Sequence, residues 1–208
     1  MSKLRYVYGP MNSAKSMMLL ATAHNLEENG IQIMVLKPSL DTRDGEGVIH
    51  SRTGIDERKC VAINEEMDLY KIIKAYRNVL ASQFEELKWV LVDECQFLTE
   101  KQVDQLSDVV DYLDINVMCY GLRTDFRSRA FPASRRLFEI ADDIEEVKCA
   151  CRCKVKKAII NARFDENDNI VTEGSQVMIG GNDMYKPLCR KCWKNKIKDK
   201  IEKENAEN

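Results

Sequence analysis

Short apolar blocks alternate along the chain with longer stretches of helical spacing. Leu4-Arg-Tyr-Val-Tyr8 reads as a buried strand, and Gly9-Pro10 breaks it at once. Lys15 to Asn29 predicts a helix that Gly30 ends, and Ile31 to Leu36 is the next apolar block. A β-loop-α-β opening of this kind predicts parallel strands joined by a crossover helix, hence an α/β fold with a buried sheet. Residues 37–60 carry Pro38, Asp41, Arg43, Asp44, Gly45, Gly47 and Ser51 and predict a polar loop. A helix over Met67 to Gln83 precedes the strand Trp89-Val-Leu-Val92, which finishes in Asp93-Glu94. Residues 99–113 predict another helix, Asn116 to Tyr120 a strand, and Gly121 to Phe131 a loop.

After Asp143 the texture changes. Short segments, cysteine pairs and turn residues (Asp165 to Asn169, Gly174, Gly180-Gly181) replace the helix–strand rhythm. This predicts one domain over residues 1–145, a second over 146–195, and a charged tail over 196–208 that is solvated helix or disorder.

Composition narrows the class. The hydrophobic share of 44% suits a chain that buries a real core. Lys+Arg 32 against Asp+Glu 34 leaves a net charge of -2, which argues against a nucleic-acid polymer or an anionic membrane as main partner. No apolar run approaches the ~20 residues of a membrane span, and Met1 to Tyr8 lacks the apolar core of a signal peptide. A soluble cytoplasmic protein is the expectation, in which eight cysteines are not a disulfide framework.

Gly9-Pro10-Met11-Asn12-Ser13-Ala14-Lys15-Ser16 nearly matches the phosphate-loop pattern G-x-x-x-x-G-K-[ST], with the required strand before and helix after. Backbone N–H groups at a helix start can wrap phosphates, Lys15 can reach the β/γ oxygens, and the Ser16 hydroxyl suits Mg²⁺. Ala14 stands where the pattern has glycine. If that position needs a positive φ, its Cβ costs roughly 1–2 kcal/mol. Val90-Leu-Val-Asp-Glu94 is an apolar strand closing on two carboxylates. In such a sheet it is expected beside the phosphate-loop strand, with Asp93 reaching the Mg²⁺ and Glu94 taking a hydroxyl proton.

Cys151-Arg-Cys153 and Cys189-Arg-Lys-Cys192 are two tight pairs separated by a hairpin-like stretch. Four thiolates on two turns suit tetrahedral Zn²⁺ with no open position, and so a structural rather than catalytic ion. Cys149 is a spare that can replace one partner. A redox pair or buried thiols are the alternatives. Cys60, Cys95 and Cys119 read as small core or site-lining residues.

Gly9 to Ser16, Val92-Asp-Glu-Cys-Gln-Phe-Leu98, Tyr120-Gly-Leu-Arg-Thr-Asp-Phe126, Ile179-Gly-Gly-Asn-Asp-Met-Tyr185 and Cys189-Arg-Lys-Cys192 occur in that order. Together, from about Leu4 to Trp193, they resemble the zinc-containing type II thymidine kinases, particularly the bacterial and phage branch. The resemblance implies a RecA-like P-loop domain and a small zinc-ribbon-like domain carrying a lasso loop. It implies transfer of the ATP γ-phosphate to the 5′-hydroxyl of thymidine, giving dTMP, by a homotetramer. By resemblance, Gly9 to Ser16 hold the ATP phosphates and Asp93, Glu94, Cys95 and Gln96 continue that site. Glu94 resembles the general base, and Arg43 lies near the phosphates. Phe126 resembles the aromatic that stacks on thymine, with Met11 and Leu122 as walls for the 5-methyl group. Val177, Met178, Ile179, Gly180 and Gly181 resemble the lasso, and Tyr185 a further nucleoside contact.

Four features depart from that pattern: Ala14, Lys154-Val155 after the first cysteine pair, Cys192 where close bacterial relatives often have His, and Asn161 where several relatives place Thr. Two rival functions stand beside the kinase. A P-loop ATPase driving a conformational change would hydrolyse ATP without nucleoside. A degenerate nucleotide sensor would bind ATP without turnover.

Overall fold

Near-continuous apolar runs such as Ile33-Met-Val-Leu36 and Trp89-Val-Leu-Val92 give a sheet buried on both faces. The computed structural model describes residues 1–41, 47–50, 57–176 and 184–206. Strand β1 (Leu4–Tyr8) runs through the phosphate-loop turn into α1 (Lys15–Glu28). Gly30, at φ +71, closes α1: its N–H donates to the Glu27 carbonyl at 2.8 Å and the Ile31 N–H to that of Leu26 at 3.0 Å. Then come β2 (Gln32–Pro38), the paired β3 (Val48–His50) and β4 (Glu57–Lys59), and β5 (Val61–Ile63). Helix α2 (Leu69–Ser82) starts on Asp68, whose side chain accepts from the Lys71 N–H. After β6 (Leu87–Val92), α3 (Glu100–Leu113) opens with a reciprocal capping box between Thr99 and Gln102. Next are β7 (Asn116–Gly121), α4 (Pro132–Ile140) and β8 (Asp143–Glu146).

The large sheet has the order β5-β2-β6-β7-β1-β8, and every pairing in it is parallel. This is the expected α/β class with a central parallel sheet. One detail is corrected: β6 does not lie beside β1, because β7 stands between them. Since all the strands are parallel, their carboxyl ends still share one edge, and one interposed strand adds only ~5 Å of spacing. Alternate residues go to opposite faces. Leu4, Tyr6, Met34, Leu36, Val90 and Val92 pack with α2, α3 and α4, whereas Val7, Ile33, Val35 and Leu91 pack with Leu19, Leu20 and Ala23 of α1.

The remaining elements are β9 (Cys149–Ala150), β10 (Lys157–Ala158), β11 (Ile160–Phe164), β12 (Ile170–Val171), β13 (Tyr185–Leu188) and α5 (Arg190–Ala206). β9 and β10 form an antiparallel pair, and β12-β11-β13 a small antiparallel sheet. Their core is thin: Ala158, Ala162, Phe164, Ile170 and Leu188 with Cys151 and Cys189. Residues 196–206 of the expected tail continue α5, which has no fully buried residue, although Ile197 packs on this small core. Among the described residues no helix is long and apolar enough to cross a membrane.

Candidate active site

The carboxyl edge of the large sheet collects the ends of β1, β6 and β7, where open α/β sheets place their ligands. The Gly9 N–H donates to the Gly121 carbonyl at 3.2 Å, tying the start of the phosphate loop to the end of β7. Neither glycine admits a side chain: a Cβ on Gly9 would meet Ser13 Oγ at 2.6 Å, and one on Gly121 would meet Cys95 Sγ at 2.6 Å. Close approach, rather than a positive φ, demands glycine at these two positions.

The loop turns through two left-handed non-glycine residues, Asn12 at φ 61 and Ala14 at φ 65. The position that the pattern assigns to glycine therefore does need the left-handed conformation, and Ala14 bears it at roughly 1–2 kcal/mol. Lys15 is buried, with Nζ donating to the Pro10 carbonyl at 2.9 Å and to Ser13 Oγ at 3.4 Å. Its ammonium thus lies within the loop. Ser16 Oγ donates to Asp93 Oδ2 at 3.1 Å, so the phosphate loop and the acidic strand end meet directly.

Asp93 is buried, and its pKa is pushed up to about 7, first by burial and then by the adjacent Glu94. A carboxylate held this far from water gains from a cation. A hydroxyl and a buried carboxylate 3.1 Å apart fit the donor set that Mg²⁺ prefers. Glu94 is half-buried and left-handed, at φ 48, and its Oε2 accepts from Gln96 Nε2 at 2.5 Å. Gln96 Oε1 in turn accepts from the Leu122 N–H at 2.9 Å. The Leu122 carbonyl takes hydroxyls from Tyr6 at 2.8 Å and Ser134 at 2.6 Å. A chain of hydrogen bonds therefore runs from Glu94 to the backbone that carries Leu122. Cys95 is wholly buried, and burial pushes its thiol pKa well above the ordinary value. Lys37 and Asp41 form a buried pair at 3.3 Å, just before the segment that contains Arg43.

Phe126 is only 1% exposed, and two guanidinium groups lie over its ring, that of Arg163 at 3.8 Å from the centroid and that of Arg127 at 5.4 Å. Met11 is half-buried, and its N–H donates to Asn161 Oδ1 at 2.7 Å, joining β11 to the phosphate loop. Asn161 Nδ2 donates to the Thr124 carbonyl at 3.4 Å. Tyr185 is half-buried at the start of β13 and is the register partner of Arg163. Arg43, Val177, Met178, Ile179, Gly180 and Gly181 lie outside the described residues. Sequence reasoning missed Arg163. An arginine inside Ile160-Asn-Ala-Arg-Phe164 carries no signal that its head is buried, because every residue of that strand is buried together.

Cys151, Cys153, Cys189 and Cys192 bring their sulfurs within 4.8 Å of one another, and Cys153 Sγ lies 3.9 Å from Cys189 Sγ. Zn–S bonds of about 2.3 Å in a tetrahedron put sulfurs ~3.8 Å apart, so this set fits a structural zinc ion. Cys149 lies outside the cluster. The Val155 and Lys156 amides pull the Cys153 thiol down to about 6, the direction a thiolate ligand needs. Lys154 takes the left-handed turn position at φ 59. The first pair thus turns without glycine.

The sequence pattern of the thymidine kinase family matches residues 2–193. A thymidine kinase of Legionella pneumophila (strain Philadelphia 1) is 43% identical over 190 residues, covering 91% of this chain and 88% of its own. One from Streptococcus agalactiae serotype Ia is 43% identical over 195 residues, covering 94% and 98%. A third, from Streptococcus pyogenes serotype M3, is 42% identical over 196 residues, covering 94% and 98%.

Proposed function

The chain belongs to the thymidine kinase family, and from that premise we propose how its residues divide the reaction. The activity is transfer of the ATP γ-phosphate to the 5′-hydroxyl of thymidine. Phosphoryl transfer through a loose transition state asks a protein for positioning and charge neutralisation more than for covalent chemistry. The observation that carries the assignment is the 3.1 Å contact of Ser16 Oγ with Asp93 Oδ2 beside the buried Lys15. Gly9 to Ser16 would wrap the β/γ-phosphates with backbone N–H groups at the start of α1, and Lys15 would turn its ammonium from Pro10 and Ser13 to the phosphate oxygens. Ser16 and Asp93 would hold Mg²⁺, which neutralises phosphate charge when bound. Cys95 would line the wall behind them. Arg43 near the phosphates is supported by the family resemblance alone.

Glu94 is the general base of this reading. Its carboxylate is aimed by Gln96 and needs only hydrogen-bond reach to the 5′-hydroxyl to accept that proton as the O–P bond forms. Phe126, Leu122, Met11 and Tyr185 would receive the nucleoside, with the 177–181 segment assigned to it by resemblance. Residues 1–145 would form the kinase domain, 146–195 the zinc and nucleoside-binding domain held by Cys151, Cys153, Cys189 and Cys192, and 196–208 the tail. A homotetramer is proposed on the resemblance, and a cytoplasmic setting on eight cysteines, none of them in a disulfide, that suit a reducing compartment.

Incubating the protein with ATP, Mg²⁺ and a panel of nucleosides tests the assignment. Formation of dTMP with matching ADP is expected. ADP release at the same rate without any nucleoside would support the ATPase rival instead.

A further inference from the structure

The deepest cation on the nucleoside side is Arg163, only 3% exposed in the middle of β11. Among the described residues no carboxylate lies within ion-pair distance of it. Its charge is offset by three neutral partners. The Phe126 ring lies 3.8 Å below the guanidinium carbon, Nη2 donates to the Glu173 carbonyl at 2.9 Å, and Nη1 donates to that of Ser175 at 3.2 Å. Burying a charge without a counter-ion is costly, so this arrangement holds only while ring and carbonyls stay in place. Gly174 lies between the two carbonyls at φ +113, and a Cβ there would meet Nη2 at 2.9 Å. The turn closes on the guanidinium because that residue has no side chain.

A second tie joins the same two regions. Asp125 Oδ2 accepts from Gln176 Nε2 at 3.2 Å, while Asp125 Oδ1 takes the N–H groups of Arg127 and Arg129, each at 2.9 Å. The turn at Glu173–Gln176 is therefore pinned to the loop bearing Phe126 from both sides. Stacking of a planar guanidinium fixes the plane of a ring as well as its position.

We infer that Arg163 is a positioning residue of the nucleoside pocket: stacked 3.8 Å from the Phe126 ring, closer than the Arg127 guanidinium at 5.4 Å, it sets the plane in which that ring meets the base. This rests on the reading of Phe126 as the aromatic partner of thymine. Lysine at position 163 keeps the charge and loses the flat fork.

Arg163→Lys is expected to raise the KM for thymidine about tenfold, the scale of one desolvated cation–π contact, while the KM for ATP stays within about twofold. Zinc content and thermal midpoint are measured alongside. Phe126→Leu serves as reference and is expected to raise the same constant. A thymidine KM unchanged in Arg163→Lys but raised in Phe126→Leu overturns the inference and leaves the Phe126 reading intact. No change in either variant removes both. A fall in kcat with both KM values unchanged also overturns it, since a purely structural arginine lowers only the active fraction. Should Arg163→Lys fail to fold, Gly174→Ala disturbs the same contact from the other partner. It is expected to show the same split, and a parental thymidine KM there defeats the proposal.

Discussion

The phosphate side of the cleft stands on a six-stranded sheet buried by helices on both faces, with Gly9 to Ser16 and Asp93 to Gln96 at its carboxyl edge. The cysteine-bearing region, to which we assign the nucleoside, stands on short antiparallel strands whose apolar core is a few side chains and two cysteines. The first region gets its geometry from burial, and its left-handed residues, Ala14 and Glu94, sit at the edge of a sheet packed on both faces. The second has a small apolar cluster and is tied by other contacts: four clustered thiols, a stacked arginine and an asparagine shared with the phosphate loop. Two regions built so differently should respond differently to the same perturbation.

Removing zinc separates them most sharply. Strong chelation, or Cys189→Ser, should abolish thymidine phosphorylation and the protection of amides in β9 to β13, because a structural zinc ion contributes on the order of 10 kcal/mol. Amides of β6 and β7 should stay protected in the same hydrogen-exchange experiment. Full activity in zinc-free protein would end the contrast.

Next in size is Glu94→Gln, which removes the base and keeps the shape. Turnover should fall by about 10²–10⁴-fold while ATP affinity, measured by calorimetry, changes little. Equal turnover in variant and parent would take Glu94 out of its role.

Asn161→Ala probes the seam between the two regions. It deprives the Met11 N–H of its acceptor and should cost ~1–3 kcal/mol in a denaturant titration. The thymidine KM should rise with it, as Met11 loses its anchor. The smallest effect belongs to Ala14→Gly. Relief of left-handed strain, roughly 1–2 kcal/mol, outweighs the ~0.4–1 kcal/mol entropy that glycine adds to the unfolded chain. A gain of about 0.5 kcal/mol in unfolding free energy is expected, and a loss would show that Ala14 is not strained.

Much of the first region is legible from residue order. The strand at Leu4–Tyr8 carries its expected limits, and α1, α2, α3 and β7 begin and end within two residues of the predicted ones, since period, caps and glycine stops are local signals. Helix α4 is not legible: its nine residues follow the Gly121–Phe131 loop, and a short segment with arginines at 135 and 136 gives too little period to read. Strands β5 and β8 were missed for the same reason, having three and four residues on the sheet's edges. Among site residues, Lys15, Ser16, Asp93 and Glu94 stand out because each closes a local pattern. Arg163 does not, because its partners are 37 and 10 to 12 residues away in the chain and follow no spacing rule.

Sequence by itself determined the strand–loop–helix that can cradle phosphates, the apolar strand ending in two carboxylates, and two tight cysteine pairs able to share one ion. These are short-range patterns, fixed by backbone period and by what each side chain can bind. Tertiary structure alone decided that β7 separates β6 from β1 while Ser16 still reaches Asp93, and that a buried arginine stacks on Phe126. Such contacts depend on how parallel strands are ordered and on which side chains meet across distant loops. Local periodicity holds no record of either.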